Sequence, residues 1–577
     1  MTYIPIKLPP GIVRGANPDD APGRWYDGSL VRWREGVMEP IGGWSKIMAT
    51  ALNSTARTIH QWRRNNAPEV YTLVGTDEEL YSGYQGTWTD VAPSDLIALN
   101  DITSGTGGGY GSGPYGAEAY GDPRTGSTGL TPERAAWSMA NWGEDVVAVS
   151  STDGRLLYFD SSAPTTDAKP IGVYSISSIS RTSNVATVVT TEPHNLATSD
   201  AVKIAGVTDT SFNTASSAVT VTNPTTFTYA NTGADGSSSG GTVQDLLVPI
   251  DNRAVIVTPE RHVVLLQAGG NMRRVGWCSR EDITDWDFSS TTNTAGYYDL
   301  QSETPILNGS PVREGTLIWS TNRVFLMRYV GLPFIYGFDD LGTSMLYAPN
   351  SFAEFDGRCV WMDNSGFMLY EGGSMRPLPC DLNDYIFSDI DPLYGPRVAH
   401  ASVNGKFDEI WFHYPSNGST ECDRYVIWNW SENWWSIGTL ARTAAFQAGV
   451  GSYPIMAGTD KFLYQHEDGW TYDGFNCANN VFIASGTINL PGDEQSMHIT
   501  QLVPSNGGNY DLTKYTLFTR MTPNDTERQF GPYYSRSDGY VDTRAVGRDV
   551  RIRICANDAG DWSIGRIRMK IAAGGRR

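Results

Sequence analysis

The chain has 577 residues, more than the roughly 250–300 over which a single hydrophobic core usually keeps growing, so several domains are expected. Its 61 glycines and 31 prolines stand beside 18 Trp, 29 Tyr and 19 Phe, a composition that excludes a disordered chain and favours turn-rich β structure. A formal charge of −20 argues against a protein that grips nucleic acid, because phosphate contacts are made by Lys and Arg.

Residues 1–50 read as turns and short strands around Gly23-Arg24-Trp25-Tyr26-Asp27-Gly28, Trp33-Arg34-Glu35-Gly36 and Gly42-Gly43-Trp44, an arm suited to latch onto its own chain or a neighbour. The opening stretch has no sustained apolar segment, and no run of about 18 apolar residues occurs, so neither a secretory signal nor a membrane span is expected. Between residues 75 and 470 a sparse repeat appears, a polar turn followed at once by an aromatic strand. Gly75-Thr76-Asp77 precedes Leu80-Tyr81, and Thr152-Asp153-Gly154 precedes Leu157-Tyr158. Thr321-Asn322 precedes Val324-Phe325, Asp363-Asn364 precedes Phe367-Met368-Leu369-Tyr370, and Gly458-Thr459-Asp460 precedes Phe462-Leu463-Tyr464. Asx and Gly turns supply side-chain hydrogen bonds and positive φ, and the runs after them suit a pleated surface. Each copy reads as a hairpin of one propeller blade, which predicts an all-β, multi-bladed β-propeller of six or seven blades.

The repeat divides the chain. Residues 51–172 carry its first copies as the leading propeller segment, interrupted by a Gly/Tyr-rich loop at 105–121 that reads as a surface or inter-subunit loop. Residues 173–245 read as a small inserted β domain whose ends lie close together, with strands at Ala218-Val219-Thr220-Val221-Thr222 and Thr225-Thr226-Phe227-Thr228-Tyr229 and a Ser/Gly-rich exit at 236–241. His194 has no second His or Cys at ligand spacing and is read as a turn-capping residue. Residues 246–472 resume the propeller as its longer segment, with inner-strand candidates at Thr316-Leu317-Ile318-Trp319, Val360-Trp361-Met362 and Glu409-Ile410-Trp411-Phe412-His413-Tyr414. Arg424 to Trp430 and Trp434 to Gly438 read as an antiparallel pair. Residues 473–577 form a C-terminal β module in which Val550-Arg551-Ile552-Arg553-Ile554 and Ile564 to Ile571 alternate basic and apolar residues, leaving one face to pack and one face positive. From residue 542 onward nine Lys/Arg meet four Asp/Glu, a local balance of +5 that leaves about −25 on residues 1–541.

No motif carries chemistry. The six cysteines at 278, 359, 380, 422, 477 and 555 are too dispersed for a disulfide scaffold or a Cys-x-x-Cys site and read as buried free thiols. Gly236-Ser237-Ser238-Ser239-Gly240 lacks the strand-to-helix setting of a nucleophile elbow and reads as a linker. Asp282, Asp285 and Asp287 cluster around Trp286 but read as turn acids, and His466-Glu467 as a hairpin tip. No catalytic, cofactor-binding or metal-binding residue is assigned, and no enzyme activity is expected.

The run Arg274-Val275-Gly276-Trp277-Cys278-Ser279, with Asp282-Ile283-Thr284-Asp285-Trp286 and Asn293-Thr294-Ala295-Gly296, resembles large structural tail proteins of tailed bacteriophages. Similar matches are Asn141-Trp142-Gly143-Glu144-Asp145, Val330 to Phe338, Leu378-Pro379-Cys380 with Tyr385-Ile386-Phe387, and Ala441-Arg442-Thr443-Ala444. The resemblance covers residues 130–470 and implies a tail nozzle or tail-tube-like hub of a short-tailed phage. It implies a homohexameric ring beneath the head-to-tail adaptor that forms a DNA exit channel and a platform for tail fibres or spikes. It also implies transient, sequence-independent contact with phage DNA, no stable membrane insertion, and a place in the virion tail after assembly in the host cytoplasm. An acidic channel fits this reading, since it repels a sliding duplex. Two alternatives are a carbohydrate- or receptor-binding tail-tip propeller, with Trp434, Trp435 and Trp470 as sugar-stacking residues, and a polysaccharide hydrolase.

Overall fold

The sequence alternates turn residues with short aromatic and β-branched runs, and it folds into antiparallel sheets with two short helices at Asn383–Asp389 and Gly395–Val398. The computed structural model describes residues 2–15, 17–65, 68–99, 134–447, 449–489, 496–507, 509–522 and 524–573. The 105–121 loop lies outside the described residues. The chain divides into two compact units, Met1–Gln61 with Leu346–Arg577, and Trp62–Met345.

Seven four-stranded sheets are described, six of them built from four strands consecutive in sequence. They span residues 56–90, 137–170, 254–299, 306–343, 352–378 and 400–439; the division between units falls inside the first strand, Ala56–Arg63. The seventh is discontinuous: Ala444–Phe446, Ile455–Ala457 and Leu463–His466 take their fourth strand, Trp44–Lys46, from the start of the chain. Gly43 permits that closure, because a Cβ there would lie 2.0 Å from the Thr471 carbonyl oxygen, and the Trp44 amide donates to the same oxygen at 2.8 Å.

The five turn signatures occupy one structural position. Each joins the second strand of a four-stranded sheet to the third, as in Val70–Thr76 to Leu80–Tyr84, Arg358–Met362 to Phe367–Glu371 and Ile455–Ala457 to Leu463–His466. Their side chains cap the turns: Thr76 Oγ1 accepts from the Glu79 amide at 2.8 Å, and Ser320 Oγ from the Arg323 amide at 3.1 Å. The two sheets without a signature use a 3-10 turn at Ala268–Gly270 and a longer loop at 415–423. Trp319, Trp361 and Trp411 sit on the second strand of successive sheets and are at most 1% exposed, so each is flanked by a strand on either side and fills the core.

Residues 173–245 form a seven-stranded sheet of their own in which Val173 pairs with Gln244, placing entry beside exit. Ile179, Val188, Phe212, Phe227 and Tyr229 make its core. The Ser/Gly-rich exit is not simply a linker: Gly236–Ser238 is a strand paired with Ile179, Ser180 and Arg181.

The C-terminal strands form two sheets, and the N-terminal arm belongs to both. Thr2–Ile6, Val31–Arg34 and Val37–Pro40 join Met497–Asn506, Val541–Gly547 and Ile564–Ala573 in one sheet. Trp25–Ser29 joins Phe482–Ser485, Asp549–Ala556, Thr513–Arg520 and Arg528–Tyr534 in the other. The arm therefore latches onto its own chain.

Candidate functional site

Two features of the unit formed by residues 1–61 and 346–577 stand out, a buried charge cluster and an exposed basic sheet face. The cluster begins at Arg32, on the strand Val31–Arg34, whose side chain is 2% exposed. Its Nε lies 2.9 Å from Glu409 Oε1, and Nη2 donates to Glu409 Oε2 at 3.0 Å. Nη1 donates to Glu467 Oε2 at 3.0 Å, and Nη2 also bonds Glu467 Oε1. Further donors reach the carboxylates: Trp411 Nε1 to Glu409 Oε2 at 3.0 Å, Asn404 Nδ2 to Glu467 at 3.2 Å, and the Gly42 amide to Glu467 at 3.1 Å. The guanidinium lies 3.7 Å from the Phe407 ring centre. Burial alone would lower the Arg32 pKa, but Glu409 and Glu467 raise it overall; burial pushes Glu409 up to about 7 against the pull of Arg32.

Around this triad lie three buried histidines. His400 stacks on His413 with ring centres 4.8 Å apart, and Arg442 Nε donates to His466 Nε2 at 2.9 Å. Burial lowers His400 to about 4, and burial with neighbouring cations lowers His413 and His466 well below the usual imidazole value. Burial also lowers Arg442, to about 10. Cys422 Sγ lies 3.8 Å from His400 Nδ1, the only hint of a nucleophile and base among these groups. Burial holds that thiol well above its ordinary pKa while holding the imidazole below its own, so both partners are neutral, the reverse of an activated pair. The arrangement binds the N-terminal strand to the 400–439 sheet and to the end of Leu463–His466; its chemistry is ionic cross-linking.

His466 and Glu467 are therefore corrected from a hairpin tip to core residues, 2% and 9% exposed. Asp282, Asp285 and Asp287 cap turns: Asp282 accepts from Thr284, Asp285 from Asn293 Nδ2 at 2.8 Å, and Asp287 from Ser289, around a buried Trp286. Trp434 and Trp435 are 3% and 5% exposed and do not offer faces to a sugar. His194 caps its turn, its Nδ1 accepting from the Leu196 amide at 3.1 Å. All six cysteines are free and five are buried.

The basic face lies on the sheet that contains Ile564–Ala573. Ile564, Ile567, Met569 and Ile571 are buried while Arg566 and Arg568 are exposed, the alternation read from the sequence. Across the ladder Arg568 faces Val503 and Pro5, and Lys570 faces Gln501 and Tyr3. Arg544 is exposed on Val541–Gly547 of the same sheet. Neither Arg544, Arg566 nor Arg568 has an ion-pair partner among the described residues. On the other sheet Arg551 pairs with Glu527 at 2.9 Å, Arg520 with Asp19, and Arg553 lies over Phe482. Only one of the two alternating strands thus presents free charge.

No protein-family model matches the sequence, and no curated protein matches it. Among solved structures the chain is similar to the PorZ surface component of the type-IX secretion system of Porphyromonas gingivalis, at 7% identity and a TM-score of 0.32 over 80% of this chain; it spans 44% of that chain. It is similar also to apo AztD of Citrobacter koseri, at 8% identity and 0.29 over 70% of this chain and 92% of that one, and to the phage phi92 endosialidase, at 12% and 0.27 over 81% and 76%. At these values the likeness carries no functional argument.

Proposed function

We propose that this chain is a structural ring subunit of the tail nozzle of a short-tailed bacteriophage, that its four-stranded sheets are propeller blades, and that its acidic surface lines a passage for double-stranded DNA. The observation that carries this reading is the segregation of charge. A chain of net −20 collects Arg544, Arg566 and Arg568, without ion-pair partners among the described residues, on one face of one sheet. An acidic body repels phosphate and lets a duplex slide, whereas a basic face gives equally acidic copies a place to meet. In this reading the chain is not an enzyme; it binds the head-to-tail adaptor above and fibres or spikes at its side, and it resides in the virion tail.

Replacing Arg544, Arg566 and Arg568 together by glutamate tests the reading. All three are exposed, so the fold is expected to persist. Assembly of the variant on purified adaptor, followed by sedimentation, is expected to weaken at least tenfold. Assembly indistinguishable from the parent chain would remove the basic face from the contact.

A further inference from the structure

The strands Arg323–Gly331 and Ile335–Thr343 form a long hairpin paired from Arg323 with Thr343 to Gly331 with Ile335. Val324, Phe325, Leu326 and Met327 root its stem in the core. Beyond Met327 the burial pattern inverts: Tyr329, Val330, Leu332 and Phe334 are 48, 57, 79 and 76% exposed. No charged residue occurs from 329 to 336. On the neighbouring sheet Tyr298, 40% exposed, stacks on Phe338 of the hairpin stem with ring centres 4.6 Å apart.

Charge on the hairpin is cancelled locally. Arg328 pairs with Asp339 and Arg323 with Asp340. Ile335–Thr343 is the last strand of its sheet, and the exposed Asp339 and Asp340 guard its open edge against pairing with another strand. The tip is left as the adhesive part, an apolar protrusion of the kind that marks an interaction site.

Its chemistry selects among occupants. An anionic bilayer attracts unpaired basic residues beside the apolar ones, but the arginine that adjoins this tip, Arg328, is paired with Asp339, and the chain as a whole carries −20. A second copy is equally acidic and can approach closely only where the contact is free of uncompensated negative charge, a condition the tip meets. We infer that the exposed apolar side chains of the 329–334 tip seat against a second copy of this chain, in a head-to-tail contact. A handful of side chains is far short of the roughly 20–30 residues a side of a standard interface, so the tip is one anchor within a larger repeated contact. The inference rests on the ring reading above.

The test is the Leu332→Ser/Phe334→Ser double variant of the full chain, with a photo-crosslinking residue placed at Leu332 in a parallel sample. Both side chains are exposed, so an unchanged circular-dichroism spectrum and melting point are expected. Self-association by sedimentation should weaken at least tenfold, and the crosslinker should join copy to copy. If the variant forms rings as tightly as the parent, the tip is removed and the ring reading stands. If the variant loses association but the parent forms only twofold dimers, the tip is a contact between copies, and both its head-to-tail geometry and the ring reading fall. A parent chain that stays monomeric to its solubility limit and gives no crosslink between copies overturns the inference. So does binding to phosphatidylcholine vesicles that the variant loses.

Discussion

Replacing Arg32 with methionine is expected to destabilise the unit formed by residues 1–61 and 346–577 by about 3–5 kcal/mol, the largest effect of any single substitution considered. The cause is not the loss of an attractive pair, since two buried charges in contact gain little over an apolar core. It is the stranding of two carboxylates, Glu409 at 0% and Glu467 at 9% exposure, in a place water does not reach. The remaining donors, from Trp411, Asn404 and Gly42, hydrogen-bond the oxygens but carry no charge. Urea unfolding followed by tryptophan fluorescence measures the loss. The triple variant Arg32→Met/Glu409→Gln/Glu467→Gln, which removes the charges together, should regain most of it. A loss under about 1 kcal/mol for the single variant would show that the triad does not hold the N-terminal strand.

Acid should weaken the same region before carboxylate titration dominates. His400, His413 and His466 are neutral in the fold because burial depresses their pKa values, while in the unfolded chain they titrate near 6.5. As pH falls below 6.5 the unfolded state takes up protons that the folded state refuses, so stability declines with falling pH until the folded pKa is reached. For His400, with a folded value of about 4, the loss by pH 4 is about 3 kcal/mol. Glu409 acts in the opposite sense: raised to about 7, it favours the fold at low pH and costs stability as pH rises from 4.5 to 7. Glu39 and Glu354, also raised by burial, act with Glu409, but the three histidines oppose them, and the unfolding midpoint should drop from pH 6.5 to about 4. The variant His400→Gln should reduce the slope by about 1.4 kcal/mol per pH unit. A midpoint that is flat over this window, or unaffected by that substitution, would mean the histidines are hydrated.

Local chemistry explains what could be read in advance. The turns at Thr76, Asp153, Asn322, Asp363 and Asp460 announce themselves because a capping side chain and an aromatic strand are neighbours in sequence, and all five mark the same strand connection. The pairing of Arg424–Asn429 with Trp434–Thr439 is legible for the same reason, its register placing Trp428 opposite Trp435. The period of two in Ile564–Ala573 likewise foretells which face carries arginine. Long-range placement is another matter. Arg32 lies 377 residues from Glu409 and 435 from Glu467, and nothing in Val31-Arg32-Trp33-Arg34 distinguishes the buried arginine from the exposed one. His466-Glu467 follows a turn-and-strand signature and resembles a tip until Trp44–Lys46 covers it. The integration of the first fifty residues into three sheets depends on tertiary pairing that no local pattern encodes.

Electron cryo-microscopy of the phage tail, or of the chain assembled on its adaptor, tests the proposed function most directly. The expected map shows the chain as a closed six-fold ring on the tail axis, with acidic surface toward the lumen and the Arg544, Arg566 and Arg568 face in the contact between copies. A peripheral trimer or monomer away from the DNA axis, or a lumen lined by that basic face, would contradict both the channel and the use of charge proposed for it.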